Sequence, residues 1–311
     1  MTAPQRPRIA RRALDGVLLL DKPIGLSSND ALIRAKRLYL AKKAGHTGTL
    51  DPLASVLLPL CFGEATKFSQ DLLEADKTYE ATMRLGVRTT TGDAEGEAAE
   101  TRDVSCDEAA VIDAMARFRG DIVQIPPMYS ALKRDGKPLY EYARAGQVVE
   151  REGRQVTIHV LDLIACALPD VTFRVTCSKG TYVRTLAEDI GEALGCGAHL
   201  VALRRTGVGA LTLEHAVTLD ALSDTTEPAR DAWLQPVDAL LSTFPEVQLD
   251  AEAARRFLHG QRLRLDELAI SQDVLKQSPR MRVYGEGRLL GVAKAGDGVL
   301  APERLVVSAA N

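Results

Sequence analysis

Apolar and polar positions follow one another along this chain in two periods. Gly16-Val17-Leu18-Leu19-Leu20 is an apolar run and predicts a short buried strand, which Asp21-Lys22-Pro23 turns into loop. Behind Ser27 and Ser28, either of which can cap a helix, Ala31, Leu32, Ala35, Leu38 and Tyr39 recur at helical spacing. The other side of that helix carries Arg34, Lys36 and Arg37, and Lys42 and Lys43 follow. Gly45 to Pro52 reads Gly-His-Thr-Gly-Thr-Leu-Asp-Pro and predicts a loop: two glycines three apart relax the backbone, and Pro52 drives Asp51 towards an extended conformation. The apolar run Val56–Leu60 has to be buried. Residues 78–85 alternate, with Tyr79, Ala81, Met83 and Leu85 on one face and Thr78, Glu80, Thr82 and Arg84 on the other, the pattern of a half-buried strand.

Further on, residues 87–103 read as a polar loop or hairpin and 107–118 as an amphipathic helix. Phe173, Val175 and Cys177 mark a second alternating strand over 172–177. A helix over 182–194 follows, with Val183, Leu186, Ala187, Ile190 and Leu194 as its stripe, and Leu203-Arg204-Arg205 closes the next strand. After an acidic linker near 220–252 the texture changes to a small β-rich module. It has a helix at 250–259, short strands across 282–296 and 299–307, and turns at Gly285, Gly287 and Gly296-Asp297-Gly298. No repeat of solenoid period is present.

A chain of 311 residues accommodates two domains, or one large domain with an appendage. No run of 18 apolar residues predicts a membrane helix, and Asp15 and Gly16 interrupt any signal-peptide core behind the N-terminal arginines, so a cytoplasmic protein is expected. Cys61, Cys106, Cys166, Cys177 and Cys196 are odd in number and scattered, and read as reduced, mostly buried thiols. The net charge of −3 argues against nucleic acid, but its distribution argues for it. Residues 1–45 hold ten Lys or Arg against three Asp, while 92–108 hold seven acids and one Arg, and 220–252 eight acids and one Arg. Such segregation can build a basic face on an acidic protein; for residues 1–12 a solvated tail is the simpler reading.

Three places carry candidate chemistry. Asp51 sits where a loop meets an apolar run, so its charge is costly unless a cation answers it, although turn formation alone also explains Asp-Pro. Tyr79 lies on the apolar face of its strand and needs a partner for its hydroxyl. Arg184 lies in the first turn of its helix, where a cation opposes the dipole, so an acidic partner would explain it, although a surface arginine lying across the helix also fits. Over 125–155, after Ile125-Pro126-Pro127, basic and aromatic residues interleave: Tyr129, Lys133, Arg134, Lys137, Tyr140, Tyr142, Arg144, Arg151 and Arg154. That texture suits a phosphate backbone with bases to stack on, and equally a solvated excursion with a short helix.

Taken in order, Gly16–Pro23, Gly45–Pro52, Lys77-Thr78-Tyr79 with Leu85-Gly86, Met128–Lys133, Ser178–Gly191 and Leu203-Arg204-Arg205 resemble the bacterial TruB family of tRNA pseudouridine synthases over nearly the whole chain. One departure is Thr90, where the family often has an acidic residue between two threonines. The resemblance implies an α/β fold of α+β type, with a mixed, largely antiparallel sheet flanked by helices and loops. It also implies a catalytic domain over 1–245 with an RNA-binding insertion near 125–155, and a PUA-like RNA-binding domain over 246–311. The implied reaction isomerises the T-loop uridine at tRNA position 55 to pseudouridine, with no cofactor and no metal, by a monomer that engages the T-arm.

Residue by residue, the resemblance makes Asp51 the catalytic carboxylate, by attack at C1′, addition at C6 or removal of the C2′ proton. Arg184 becomes its ion-pair partner, and Tyr79 the residue against the base and a candidate base for the C5 proton. Lys22 supports the active-site loops. His46 fills the space the uridine leaves, and Leu203 packs near the base. Tyr129, Lys133, Arg144 and Arg205 are expected on the RNA, and the 125–155 segment is expected to become ordered only on it. The alternative is a non-catalytic tRNA-binding or tRNA-folding protein on the same scaffold. Glycoside hydrolysis would require a second motif-borne carboxylate, which the sequence lacks.

Overall fold

A computed structural model of the chain describes residues 10–48 and 54–306. These residues gather into two compact units, one from 54–56 and 74–208, the other from 10–48, 57–73 and 209–306.

The first unit is built on an antiparallel ladder ordered Ala198–Val208, Lys77–Leu85, Asp170–Cys177, Arg154–Ala167 and Gly120–Gln124. Ser55 and Val56 add a parallel pairing with Arg204 and Arg205, which makes the sheet mixed. Period-two alternation decides which side chains go inward: Tyr79, Ala81, Met83 and Leu85 are buried, as are Val171, Phe173, Val175 and Cys177 on the neighbouring strand. Two helices cover that face. Glu108–Ala116 is capped by the Asp107 side chain, which accepts from Ala110 N at 2.9 Å. Val183–Ala193 buries Leu186, Ala187 and Ile190, and Gly191 lets it approach closely, since a Cβ there would meet Ala198 N at 2.4 Å. Val87–Thr89 and Ala98–Thr101 form a hairpin within the acidic stretch.

In the second unit Gly16–Lys22 is buried throughout most of its length and pairs with Val217–Thr218 and Leu234–Gln235. The helix Ser28–Leu38 is capped by Ser27, which accepts from Asp30 N, and it buries Ala31 and Ala35. A separate five-stranded sheet runs Glu246–Leu249, Arg280–Gly285, Arg288–Gly296, Val299–Leu305 and Leu263–Arg264, around its own core of Phe257, Met281, Val283 and Leu300. Gly285 lies within a strand of this sheet, where a Cβ would meet Ala254 at 2.8 Å, so it serves helix packing and the turn falls at Glu286-Gly287 instead. Among the described residues no helix is long and apolar enough to cross a membrane.

Several expectations are revised. Gly45 and His46 are strand, not loop, because Ala44–His46 pairs with Leu60–Phe62. The acidic stretch after 220 is no linker: Leu222, Leu240 and Leu241 are buried, and the Arg230 guanidinium donates to Leu38 O at 2.8 Å. Arg12 is not in a solvated tail but pairs with Asp231 and Glu227. The 125–155 segment combines short regular elements with loop. It has a hairpin of Lys133–Arg134 with Lys137–Pro138, a helix Leu139–Arg144, and cations over its own rings: Lys137 over Tyr142 at 4.6 Å and Arg144 over Tyr140 at 5.3 Å.

Candidate active site

Arg184 is in the first turn of the helix Val183–Ala193. Its guanidinium donates from Nη1 to Asp93 Oδ2 at 3.0 Å and to Thr91 O at 3.3 Å, and from Nη2 to Tyr129 O at 2.8 Å. The two charged side chains are only 15% and 16% exposed, which raises the strength of the pair above that of a surface bridge. Asp93 is held in turn by Thr91 Oγ1, donating to Oδ1 at 2.6 Å, and by Glu95 N at 3.2 Å. An acid therefore answers the cation at the helix start. Asp93 escaped the sequence reading; its only local signal is an Asp after Gly at a hairpin tip, which is also how a plain turn looks. Asp51, the partner expected for Arg184, lies outside the described residues.

Tyr79 and Arg205 are direct partners in the ladder, so both side chains project from the same face, and Leu203 opposite Ala81 shares it. Arg205 is consequently buried, at 4% exposure, with its charge close enough to the Tyr79 hydroxyl to act on it. A bulge between Arg205 and Gly207 breaks the register just beyond. Burial pushes the Tyr79 phenol up to about 12, more than the neighbouring guanidinium pulls it down. The same desolvation, helped by the Arg205 charge, lowers the Lys77 ammonium.

In the second unit Lys22 is fully buried and its Nζ donates to Pro23 O and Leu26 O, both at 2.9 Å, holding the loop after its strand. His46 Nδ1 lies 3.0 Å from the Gly48 carbonyl, which can only accept, so Nδ1 carries the hydrogen. Of the residues expected on RNA, Lys133 and Arg144 are exposed, Tyr129 is half-buried with its carbonyl on Arg184, and Arg205 is turned inward. The structure thus gathers Arg184, Tyr129, Tyr79, Leu203 and Arg205 in one unit.

The N-terminal domain of the TruB family pseudouridylate synthases matches residues 36–183, the tRNA pseudouridylate synthase B C-terminal domain matches 184–242, and the pseudouridine synthase II TruB C-terminal domain matches 245–306. tRNA pseudouridine synthase B of Burkholderia mallei is 80% identical over 310 residues, 99% of each chain. The chain belongs to the TruB family of pseudouridylate synthases. The enzyme of the same name from Cupriavidus metallidurans is 66% identical over 308 residues, 98% of each chain. Among solved structures, a Cbf5-Nop10-Gar1 complex is similar at a TM-score of 0.73 and 28% identity, covering 93% of this chain and 84% of that one.

For a TruB synthase the arrangement supplies a fixed cation and a fixed phenol. Asp93 and the Tyr129 carbonyl hold the guanidinium of Arg184 in one orientation, and burial beside its ladder partner Arg205 confines the Tyr79 ring.

Proposed function

We propose that the chain isomerises the T-loop uridine at tRNA position 55, with Asp51 as its catalytic carboxylate, Arg184 as the partner of that carboxylate and Tyr79 against the base. Family membership along the whole chain carries this reading, and it makes the protein a tRNA pseudouridine synthase, an isomerase. In the reaction the N1–C1′ bond breaks, a C5–C1′ bond forms, and the hydrogen lost from C5 is balanced by one gained at N1. The uridine must first leave its stack, which costs a few kcal/mol and is offset by contacts in the pocket.

A cation partner would favour the ionised form of the Asp51 carboxylate. Attack at C1′, addition at C6 and removal of the C2′ proton all require that ionised form. Tyr79 serves better as a stacking surface and hydrogen-bonding group than as a resting phenolate: with its phenol near 12, holding it deprotonated at pH 7 would cost about 7 kcal/mol. Arg205 reaches the base through Tyr79, Leu203 packs beside the ring, Lys22 braces the loop at 23–26, and His46 occupies the space left in the T-loop.

In this reading residues 1–245 form the catalytic domain and 246–311 a PUA-like RNA-binding domain. The insertion near 125–155 closes on the T-arm through Tyr129, Lys133 and Arg144, and the protein acts as a cytoplasmic monomer. Incubation with an unmodified T-arm stem-loop, followed by mapping of pseudouridine, tests it. Conversion of the single uridine corresponding to position 55 is expected; no conversion, or conversion elsewhere, refutes it.

A further inference from the structure

Gln124 is the last residue of the strand Gly120–Gln124 and immediately precedes Ile125-Pro126-Pro127. Its neighbours Val123 and Ile125 are exposed, yet Gln124 is 2% exposed and both ends of its amide are used. Oε1 accepts from Tyr182 N at 3.0 Å, and Nε2 donates to Tyr182 O at 3.3 Å. Tyr182 is the residue that opens the helix bearing Arg184, has no side-chain cap of its own, and receives the first helical bond from Leu186 N at 3.0 Å. The Gln124 amide therefore clamps the main chain of Tyr182 on both its N–H and C=O sides, immediately ahead of Arg184's helix.

The same stretch of chain makes a second grip: the Tyr129 carbonyl accepts from Arg184 Nη2 at 2.8 Å. Between the two grips Pro126 and Pro127 fix the backbone. The far root of the insertion is tied to the same stretch by Arg151 Nη1, donating to Pro126 O at 3.1 Å, and the insertion helix by Tyr140 N, donating to Ser130 O at 3.1 Å. Ser130 and Thr185 adjoin the two partners of the Tyr129–Arg184 bond, and both hydroxyls are buried with no hydrogen-bond partner among the described residues. Buried polar groups are ordinarily paired, so this joint is incompletely satisfied, as a joint with a second arrangement would be.

We propose that residues 124–130 couple the insertion to Arg184, and that Gln124 is a positioning residue for the reaction: it holds the helix start in register while the Tyr129 carbonyl passes the position of the RNA-bound insertion to the guanidinium. This rests on the reading that Arg184 serves the reacting uridine.

Gln124→Met keeps the volume and removes both bonds. With saturating unmodified T-arm stem-loop its single-turnover rate is expected to fall about tenfold or more, while RNA affinity stays within about threefold. The loss should be non-additive with Asp93→Asn, because both act through Arg184. Hydrogen exchange at 183–186 should accelerate in the variant, a readout that needs no activity. Wild-type rate, an equal loss of affinity, additivity with Asp93→Asn or unchanged exchange would each overturn the proposal. If Gln124→Met does not fold, Gln124→Glu, which keeps the acceptor for Tyr182 N, decides: a reduced rate at unchanged affinity and melting supports it, and a wild-type rate overturns it. An inactive wild-type enzyme would sink the functional reading instead, leaving the exchange result to judge the joint.

Discussion

Replacing Asp93 by Asn should slow pseudouridine formation by roughly 10- to 150-fold while leaving the chain folded. The substitution keeps shape and keeps an oxygen for Thr91 Oγ1 and Glu95 N, which donate to Oδ1 at 2.6 and 3.2 Å, so the hairpin tip survives. What it removes is the charge facing Arg184 at 3.0 Å. Two unit charges about 4 Å apart attract by about 4 kcal/mol at an effective dielectric near 20, and desolvation cancels much of that. A hydrogen bond to a charged group nets about 1.5–3 kcal/mol, which sets the fold-change. The assay is single-turnover conversion of saturating T-arm stem-loop, with RNA affinity and thermal melting measured alongside. A rate within twofold of wild type would show that Asp93 does not hold the guanidinium in place. A melting temperature lower by more than about 10 °C would mean that the carboxylate serves the hairpin rather than the site.

Other consequences are independent of Asp93. Tyr79 ionises near 12 when folded and near 10 when unfolded, so between those values the unfolded chain releases its proton first and stability falls as pH rises, by about 3 kcal/mol in all. Urea unfolding of Tyr79→Phe should lack that slope, and superimposable pH profiles would refute the shift. Arg280 bonds Asp71 at 2.7 Å and Glu303 at 2.8 Å and lies over the Phe244 ring, while Asp71 is nearly buried. Arg280→Met should therefore cost about 2–4 kcal/mol by stranding the carboxylate, and Asp71→Asn in that background should recover much of it; an unchanged melting temperature contradicts this. Arg34 and Arg37 are exposed, with no ion pair among the described residues. If they meet RNA phosphates, charge reversal at both should flatten the salt dependence of tRNA binding by about one log unit of slope for each phosphate no longer neutralised, and an unchanged slope excludes them from the interface.

Much of the fold was legible wherever one face of an element is buried. Lys77–Leu85 and the helix Val183–Ala193 follow their apolar periods because a slip would expose the whole set. Ala44–His46 was not legible: Ala-Gly-His has no strand preference, and only its tertiary pairing with Leu60–Phe62 makes it a strand. The long strand Arg154–Ala167 hides its alternation behind register shifts at Ile158/Val160 and Leu163/Ala165. For the site, Tyr79 and Arg184 stood out because each contradicts its local setting, a hydroxyl on an apolar face and a cation at a helix start. Asp93 and Gln124 did not, since a polar residue in a turn or at a strand end contradicts nothing until its burial is known. Arg205 was expected on the RNA, and only its register with Tyr79 shows it turned inward.

The proposed catalysis stands or falls on one carboxylate. Asp51→Asn should be compared with the wild-type chain on the same unmodified T-arm stem-loop, with pseudouridine mapped by position and RNA affinity measured in parallel. The expected result is near-complete loss of conversion at the position-55 uridine with affinity within about tenfold of wild type, since catalysis rather than binding is removed. Pseudouridine formed by the Asn variant at a rate near that of the wild-type chain would contradict the assignment of Asp51.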